Sequence, residues 1–190
     1  MAESKRSELE EAFDAFEDTP LLEPFSSSER SIRKETTESL SKALEQFLDP
    51  KGDPRIYWAK EVTTDYATNH RIRVDYILFK PVNNTVSGIE KGDFSCFEVK
   101  SSVEDFHSPN GHNFIWDYNY YVMPYDVFEA VKAEIPRKVG VYCPSGNSLR
   151  SVKRAIRSDR TRPVSELLLM MFRSAMRENR KKMDRKKETG

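Results

Sequence analysis

Two opposite charges follow an apolar segment in the middle of this 190-residue chain. Residues 94–97 read Phe-Ser-Cys-Phe, which is typical of a buried strand, and Glu98, Val99 and Lys100 come next. Because side chains alternate along a strand, Glu98 and Lys100 should leave the same face, with Cβ atoms roughly 6–7 Å apart. Burying two charges costs several kcal/mol unless they are paired or bind something. The segment therefore predicts a functional site.

A lone acid, Asp75, occurs inside the preceding hydrophobic strand, predicted over residues 71–79. If Asp75 faces the same way as Glu98, the two carboxylates converge with Lys100. Two carboxylates and a backbone carbonyl are hard oxygen ligands suited to Mg²⁺ or Mn²⁺. A lysine beside them could orient an attacking water and stabilise charge on a phosphate. The triplet acid-x-Lys is weak by itself, and Asp75 could equally form a salt bridge with Arg73 or Lys100.

The elements predicted around these residues alternate between helix and strand. Hydrophobic periodicity predicts a helix from about residue 29 to residue 48, strands at 56–63, 71–79, 94–100, 118–123 and 139–143, a helix at 125–134, and an amphipathic helix that begins at Pro163. This order favours an α/β domain with a mixed central β-sheet flanked by helices, plus a basic C-terminal helix.

Charge is unevenly distributed although the chain is neutral overall. Residues 1–50 carry 6 basic and 13 acidic side chains, whereas residues 150–190 carry 14 and 5. We therefore expect an acidic, flexible arm over residues 1–25, a folded domain over 26–149, and a basic linker and helix over 150–190. A basic tail is compatible with a polyanionic partner.

Cysteine content and hydropathy predict the compartment. Cys96 and Cys143 both lie in apolar strand-like segments, which favours buried free thiols, with a disulfide as the alternative. The sequence shows neither a signal peptide nor a segment apolar enough to span a membrane, so we expect a cytoplasmic protein without a membrane partner.

The order of these elements and motifs resembles the PD-(D/E)XK nuclease superfamily, with its restriction-endonuclease-like fold, over roughly residues 28–145. Within it, four segments are similar to MmcB-like DNA-repair nucleases: Glu61-Val62, Arg73-Val74-Asp75, Glu98-Val99-Lys100-Ser101-Ser102 and Asp105-Phe106. Residues 111–124 are similar to phage and prophage relatives. One departure from the family pattern is that Val74, rather than proline, precedes Asp75.

The resemblance implies a metal-dependent nuclease that hydrolyses DNA phosphodiester bonds, in DNA repair or phage DNA metabolism. Asp75 and Glu98 would bind Mg²⁺ or Mn²⁺, Val99 would lend its carbonyl oxygen, and Lys100 would serve the nucleophile. The resemblance leaves open whether the DNA is duplex, single-stranded or branched.

Additional site residues are less well defined. Superfamily members often carry a glutamate on the first core helix, for which Glu29 is preferred here to Glu35. Glu61 is a further candidate acid, and each of the three could equally be a solvated carboxylate. His112 could contact DNA or a metal-bound water, or simply hold its loop. A zinc site formed by His107 and His112 would lack further ligands nearby.

Basic side chains predict where DNA is bound. Arg71 and Arg73 precede Asp75 on its strand, and the predicted contacts in the tail are Arg150, Lys153, Arg154 and Arg157. The alternative is a solvated helix end, or a tail that pairs with the acidic arm of the same or a second chain in a homo-oligomer.

Two other functions are compatible with the sequence. One is a catalytically inactive module of the same fold that binds nucleic acid or a host protein. The other is a phage accessory protein that inhibits a host factor through its acidic arm. The joint presence of Asp75, Glu98 and Lys100 favours the enzyme.

Overall fold

The structure is a computed structural model that describes residues 27–53, 56–64, 71–146 and 148–188. The predicted acidic arm over residues 1–25 lies outside these residues. The chain divides into two units, Met1–Ile32 and Arg33–Gly190, and the β-sheet lies in the second.

Helices and strands alternate largely as predicted. The helices are α1 (Ser27–Leu48), α2 (Val86–Glu90), α3 (Val103–Phe106), α4 (Tyr125–Val131) and α5 (Val164–Glu188). The strands are β1 (Tyr57–Thr64), β2 (Ile72–Lys80), β3 (Asp93–Val99), β4 (Tyr118–Val122), β5 (Gly140–Ser145) and β6 (Ser148–Lys153).

The six strands form one mixed sheet in the order β1-β2-β3-β4-β5-β6. The pairs β1–β2, β2–β3 and β5–β6 are antiparallel, whereas β3–β4 and β4–β5 are parallel. Parallel neighbours need crossover connections, which the segments containing α3 and α4 provide. The predicted α/β class with a mixed sheet, flanking helices and a C-terminal helix is confirmed.

Helices cover both faces of the sheet. On one face, Leu167 and Met171 of α5 pack with β1, β2 and β3, and Val127 and Val131 of α4 pack with β4 and β5. On the other face, α1 packs through the buried side chains Leu40, Leu44 and Leu48. Within each helix these positions recur every four residues, a spacing that places them on the one side of the helix that faces the core.

The domain extends further than predicted. β6 pairs with β5, so the sheet continues beyond residue 149, where the sequence placed the start of a basic linker. β6 is an edge strand that carries Arg150 and Lys153, and edge strands tolerate such charges because one side faces solvent. Its weak apolar alternation explains why periodicity did not detect it.

Two other sequence predictions concern buried groups and membrane spans. Cys96 and Cys143 are buried free thiols, as favoured above. No helix in the described part of the chain is long and apolar enough to cross a bilayer.

Candidate active site

Three acidic residues lie in line across neighbouring strands. Continuing the register of the flanking pairs sets Glu61 of β1 opposite Asp75 of β2, and Asp75 opposite Glu98 of β3. Directly opposed residues on antiparallel strands have Cβ atoms about 4.5–5.5 Å apart. The structure therefore brings together Asp75 and Glu98, which we call the acid pair.

Both carboxyl groups of the acid pair are disfavoured as anions. Glu98 is only 4% exposed. Burial, followed by the negative charge of Asp75, raises the pKa of Glu98 to about 8. Burial also raises the pKa of Asp75, and the Val99 N–H, which donates to Asp75 Oδ2 at 2.9 Å, partly opposes this effect. Two such neighbours favour uptake of a proton or a cation.

Lys100 lies directly after β3 and is 3% exposed. Its Nζ donates to the carbonyl oxygens of Asn110 at 2.6 Å and Asp105 at 3.0 Å, and contacts Ser108 Oγ at 3.5 Å. An ammonium group has three hydrogens, so each has an acceptor here. Lys100 thus holds the segment 105–110 against the acid pair, and its predicted action on a water requires one of these bonds to open.

Gly111 closes the space between Glu98 and Lys100. It has a φ of +77°, and a Cβ atom there would lie 3.0 Å from Glu98 Oε2 and 3.1 Å from Lys100 Nζ. Glycine alone among residues combines this backbone region with so close an approach at little cost. The Glu98 carboxyl group and the Lys100 amine therefore both lie against Gly111.

A cavity of about 900 Å³, which we call the basic groove, opens over the acid pair. α1 and α5 contribute side chains to it from opposite faces of the sheet. Its basic lining residues are Arg33, Lys34, Arg71, Arg73, Lys100, Arg177 and Lys181, and its acidic ones are Glu61, Asp75, Glu98 and Asp105. Basic groups outnumber acidic ones in this lining, which suits the binding of a polyanion. The two buried acids suit a cation bound beside it.

The chain resembles one known structure in fold. No family model matches the chain, and no curated protein matches it. The chain is similar to the solved structure of the SPO1766 protein of unknown function from Silicibacter pomeroyi, with a TM-score of 0.58 and 16% identity. The match covers 80% of this chain and 93% of that one. At this identity the likeness shows the fold alone.

Glu61 lines the basic groove without joining the acid pair. Its side chain is 48% exposed, and Oε2 lies 3.7 Å from Lys181 Nζ and 3.9 Å from Arg177 Nη2. Glu61 also has a φ of 51°, which is uncommon for a residue other than glycine. Arg177 of α5 donates to its carbonyl oxygen at 2.6 Å, and Ser174 of α5 donates to the carbonyl oxygen of the preceding residue, Lys60. These two bonds hold the conformation.

His107 and His112 bond to neighbouring segments and lie outside the groove lining. His112 Nδ1 lies 2.6 Å from Tyr121 Oη and Nε2 lies 3.0 Å from Ser108 O, so both ring nitrogens are engaged. His107 Nε2 pairs with Glu134 Oε2 at 2.9 Å. These contacts tie His112 to β4 and to its own segment, and contact with DNA or a metal-bound water stays a prediction. Glu29 falls in α1, but its side chain lies outside the described residues.

The predicted DNA-contact residues divide into two groups. Arg71 and Arg73 line the basic groove. Lys153 instead donates to the carbonyls of Pro136 and Val139 at 2.6 and 2.7 Å, and so fixes the turn before β5.

The remaining predicted contacts also lie outside the groove lining. Arg157 pairs with Asp93 and Asp117 at 3.1 and 3.2 Å. Arg150 borders a separate cavity, and Arg154 is exposed. The positive charges of Lys153 and Arg157 in the sequence did not reveal that these side chains bind carbonyl and carboxylate groups of the fold itself.

Sequence reasoning missed several residues of the groove. Arg33 and Lys34 of α1 enter it, and Arg33 Nη2 lies 3.7 Å from Asp105 Oδ1. Asp105 Oδ2 accepts the Ser101 N–H at 2.9 Å, which fixes the chain directly after Lys100. The sequence did contain a helix N-cap pattern here, Ser102-Val103-Glu104-Asp105. Ser102 is the N-cap residue of α3, and its Oγ accepts the Asp105 N–H at 3.1 Å.

A divalent cation suits the donor set of the acid pair. No cluster of three or more His, Cys, Asp or Glu side chains placed to hold a metal occurs in the described part of the chain. The ligands implied by the resemblance are only two carboxylates plus the Val99 backbone carbonyl, which is a smaller side-chain set than such a cluster. Two adjacent carboxylates with raised pKa values are relieved by a positive charge, and hard oxygen donors match Mg²⁺ or Mn²⁺.

Proposed function

We propose that this protein is a Mg²⁺- or Mn²⁺-dependent nuclease of the PD-(D/E)XK type, acting on DNA. The observation that carries the proposal is the meeting of Asp75 and Glu98 at the floor of a groove whose charged lining residues are mostly basic. Basic side chains neutralise the phosphates of a nucleic acid. Buried acids at the floor would instead repel phosphate unless a cation lies between them.

Each group of the site has a role in phosphodiester hydrolysis. Asp75, Glu98 and the Val99 carbonyl would hold the divalent ion, which supplies Lewis-acid stabilisation of phosphoryl charge. Lys100 adds a positive charge next to Glu98, where negative charge builds up in the transition state. Hydrolysis joins a water oxygen to phosphorus and breaks one P–O bond to the sugar, whose oxygen takes up a proton. The resemblance suggests DNA repair or phage DNA metabolism as the setting.

Cleavage of end-labelled duplex, single-stranded and branched DNA in Mn²⁺ tests the proposal. Asp75→Asn and Glu98→Gln should each lower cleavage at least about 10²-fold, because each removes one charged metal ligand. Glu129→Gln is a matched control, since its side chain is 42% exposed and pairs with Lys132 outside the groove lining. Equal cleavage by wild type and both acid-pair variants would reject the site.

One observation favours an inactive DNA-binding module as the second candidate. All three hydrogens of the Lys100 ammonium have acceptors in the segment 105–110. A lysine held in this way is positioned as a structural group. Wild-type protein that binds DNA with a salt-dependent affinity but cuts none of the three substrates would establish this alternative.

A further inference from the structure

The acid pair lies between two sets of basic side chains that approach from opposite faces of the sheet. α1 covers one face and places Arg33 and Lys34 in the basic groove. α5 covers the other face and places Arg177 and Lys181 there. The carboxylates are therefore flanked by positive charge on two sides.

Each basic set is anchored by an acid of the groove. On the α5 side, Lys181 Nζ donates to Glu178 Oε1 at 2.8 Å and lies 3.7 Å from Glu61 Oε2, on the β1 side of Asp75. On the α1 side, Arg33 Nη2 lies 3.7 Å from Asp105 Oδ1, in the segment that follows β3. These ion pairs hold long side chains near the groove, so less conformational entropy is lost when a phosphate arrives.

We propose that the groove cleaves internal phosphodiester bonds, so that the protein is an endonuclease; this inference rests on the proposed nuclease function. A nucleic acid strand that continues on both sides of the scissile phosphate can offer a neighbouring phosphate to each basic set. A terminal phosphodiester has neighbours on one side only and leaves one basic set without a phosphate. Binding energy from groups beside the reacting bond is what raises the rate for the preferred substrate.

Closed circular DNA provides the test, because it has no ends. Wild-type protein is incubated in Mn²⁺ with a relaxed closed circular duplex, a single-stranded circle and the same sequences in linear form. Each cut consumes one water and leaves one phosphate monoester and one hydroxyl. We expect nicking or linearisation of at least one circle, and none with Glu98→Gln protein purified identically.

The possible failures are distinguishable. Degradation of linear DNA from its ends, with both circles intact, overturns the endonuclease inference and leaves the nuclease function standing. Intact circular and linear DNA alike overturns both.

Variants on the two sides test the flanking contacts. Lys181→Ala and Lys34→Ala should each lower the rate of circle cleavage about tenfold, the usual effect of one lost charge-assisted contact. Lys34 is 79% exposed and Lys181 is 47% exposed, so the fold should tolerate both changes. Lys132→Ala on α4 is the control, because Lys132 pairs with Glu129 outside the groove lining. If either variant cuts circles as fast as Lys132→Ala, that side does not contact the substrate and the inference fails.

Discussion

Replacing Glu98 with glutamine should remove a pH-dependent loss of stability. The pKa of Glu98 is about 8 in the folded protein, against an ordinary value of 4.5. The folded state therefore binds this proton more tightly than the unfolded chain does. The stabilisation is complete below pH 4.5 and is lost as the pH rises through about 8.

The size of this stability loss follows from the difference between the folded and ordinary pKa values of Glu98. Each pH unit between the two pKa values changes the free energy of unfolding by about 1.4 kcal/mol. Between pH 5.5 and 8.5, wild type should lose about 3 kcal/mol that the Glu98→Gln variant keeps. For a domain of this size, this corresponds to a difference in melting temperature of roughly 6–12 °C. The variant should be the more stable protein at the alkaline end.

Urea denaturation of both proteins in EDTA, at half-unit pH steps, measures this difference. Titrating groups far from Glu98 contribute similarly to both curves and cancel in the comparison. Glu38→Gln should follow the wild-type curve, because the Glu38 side chain is 68% exposed. Parallel curves for wild type and Glu98→Gln would refute the reasoning, since they would mean that the Glu98 carboxyl is solvated.

Repeating the alkaline measurement with Mn²⁺ tests the metal without any activity assay. At a concentration 100 times its dissociation constant, a ligand of the folded state adds about 2.7 kcal/mol. Wild type should show this gain at pH 8.5, and Glu98→Gln should lose most of it. Equal stabilisation of the two proteins would locate the ion away from Glu98.

Three further substitutions test the contacts around the acid pair and the sheet. Lys100→Met should lower the free energy of unfolding by about 1–3 kcal/mol, because the Asp105 and Asn110 carbonyls lose a charged donor; an unchanged urea midpoint would mean that the amine faces solvent. Gly111→Ala should destabilise the protein more than Gly52→Ala, since both have positive φ (+77° and +64°) but only Gly111 is crowded; equal losses in thermal melts would argue against the close approach. Asp117→Asn should cost about 3 kcal/mol, because Arg160, only 16% exposed, loses its carboxylate partner, whereas Arg157 keeps Asp93; Asp93→Asn, half-exposed with one arginine partner, should cost less than about 1 kcal/mol in the same denaturation series.

The fold was largely predictable because its core elements repeat apolar residues at a clear period. Leu40, Leu44 and Leu48 show the spacing of a helix stripe, and Leu167 and Met171 show it again. α2 and α3 escaped detection because helices of 5 and 4 residues have too few turns to show a period. β6 escaped because it is a charged edge strand.

Only the part of the site that depends on which strands are neighbours was predictable from the sequence. Consecutive strands are usually neighbours, which was enough to bring Asp75 and Glu98 together. The bonds of Lys100 depend on where the chain turns back after α3, and no local pattern encodes that path. The entry of Arg33 into the groove depends on how α1 crosses the sheet, which is likewise a property of tertiary packing.

The alternation of β2 shows how tertiary structure can override a local pattern at a functional site. Strict alternation would keep Val74 and Tyr76 on one face, yet Val74 packs beneath α5 and Tyr76 packs beneath α1. The break falls at Asp75, and the residue opposite it is Glu61, whose φ of 51° costs about 1–2 kcal/mol outside glycine. α5 holds that conformation through Arg177, which donates to the Glu61 carbonyl, and Ser174, which donates to the Lys60 carbonyl. The C-terminal helix therefore supports the geometry that exposes Asp75 to the groove, as well as supplying basic side chains to it.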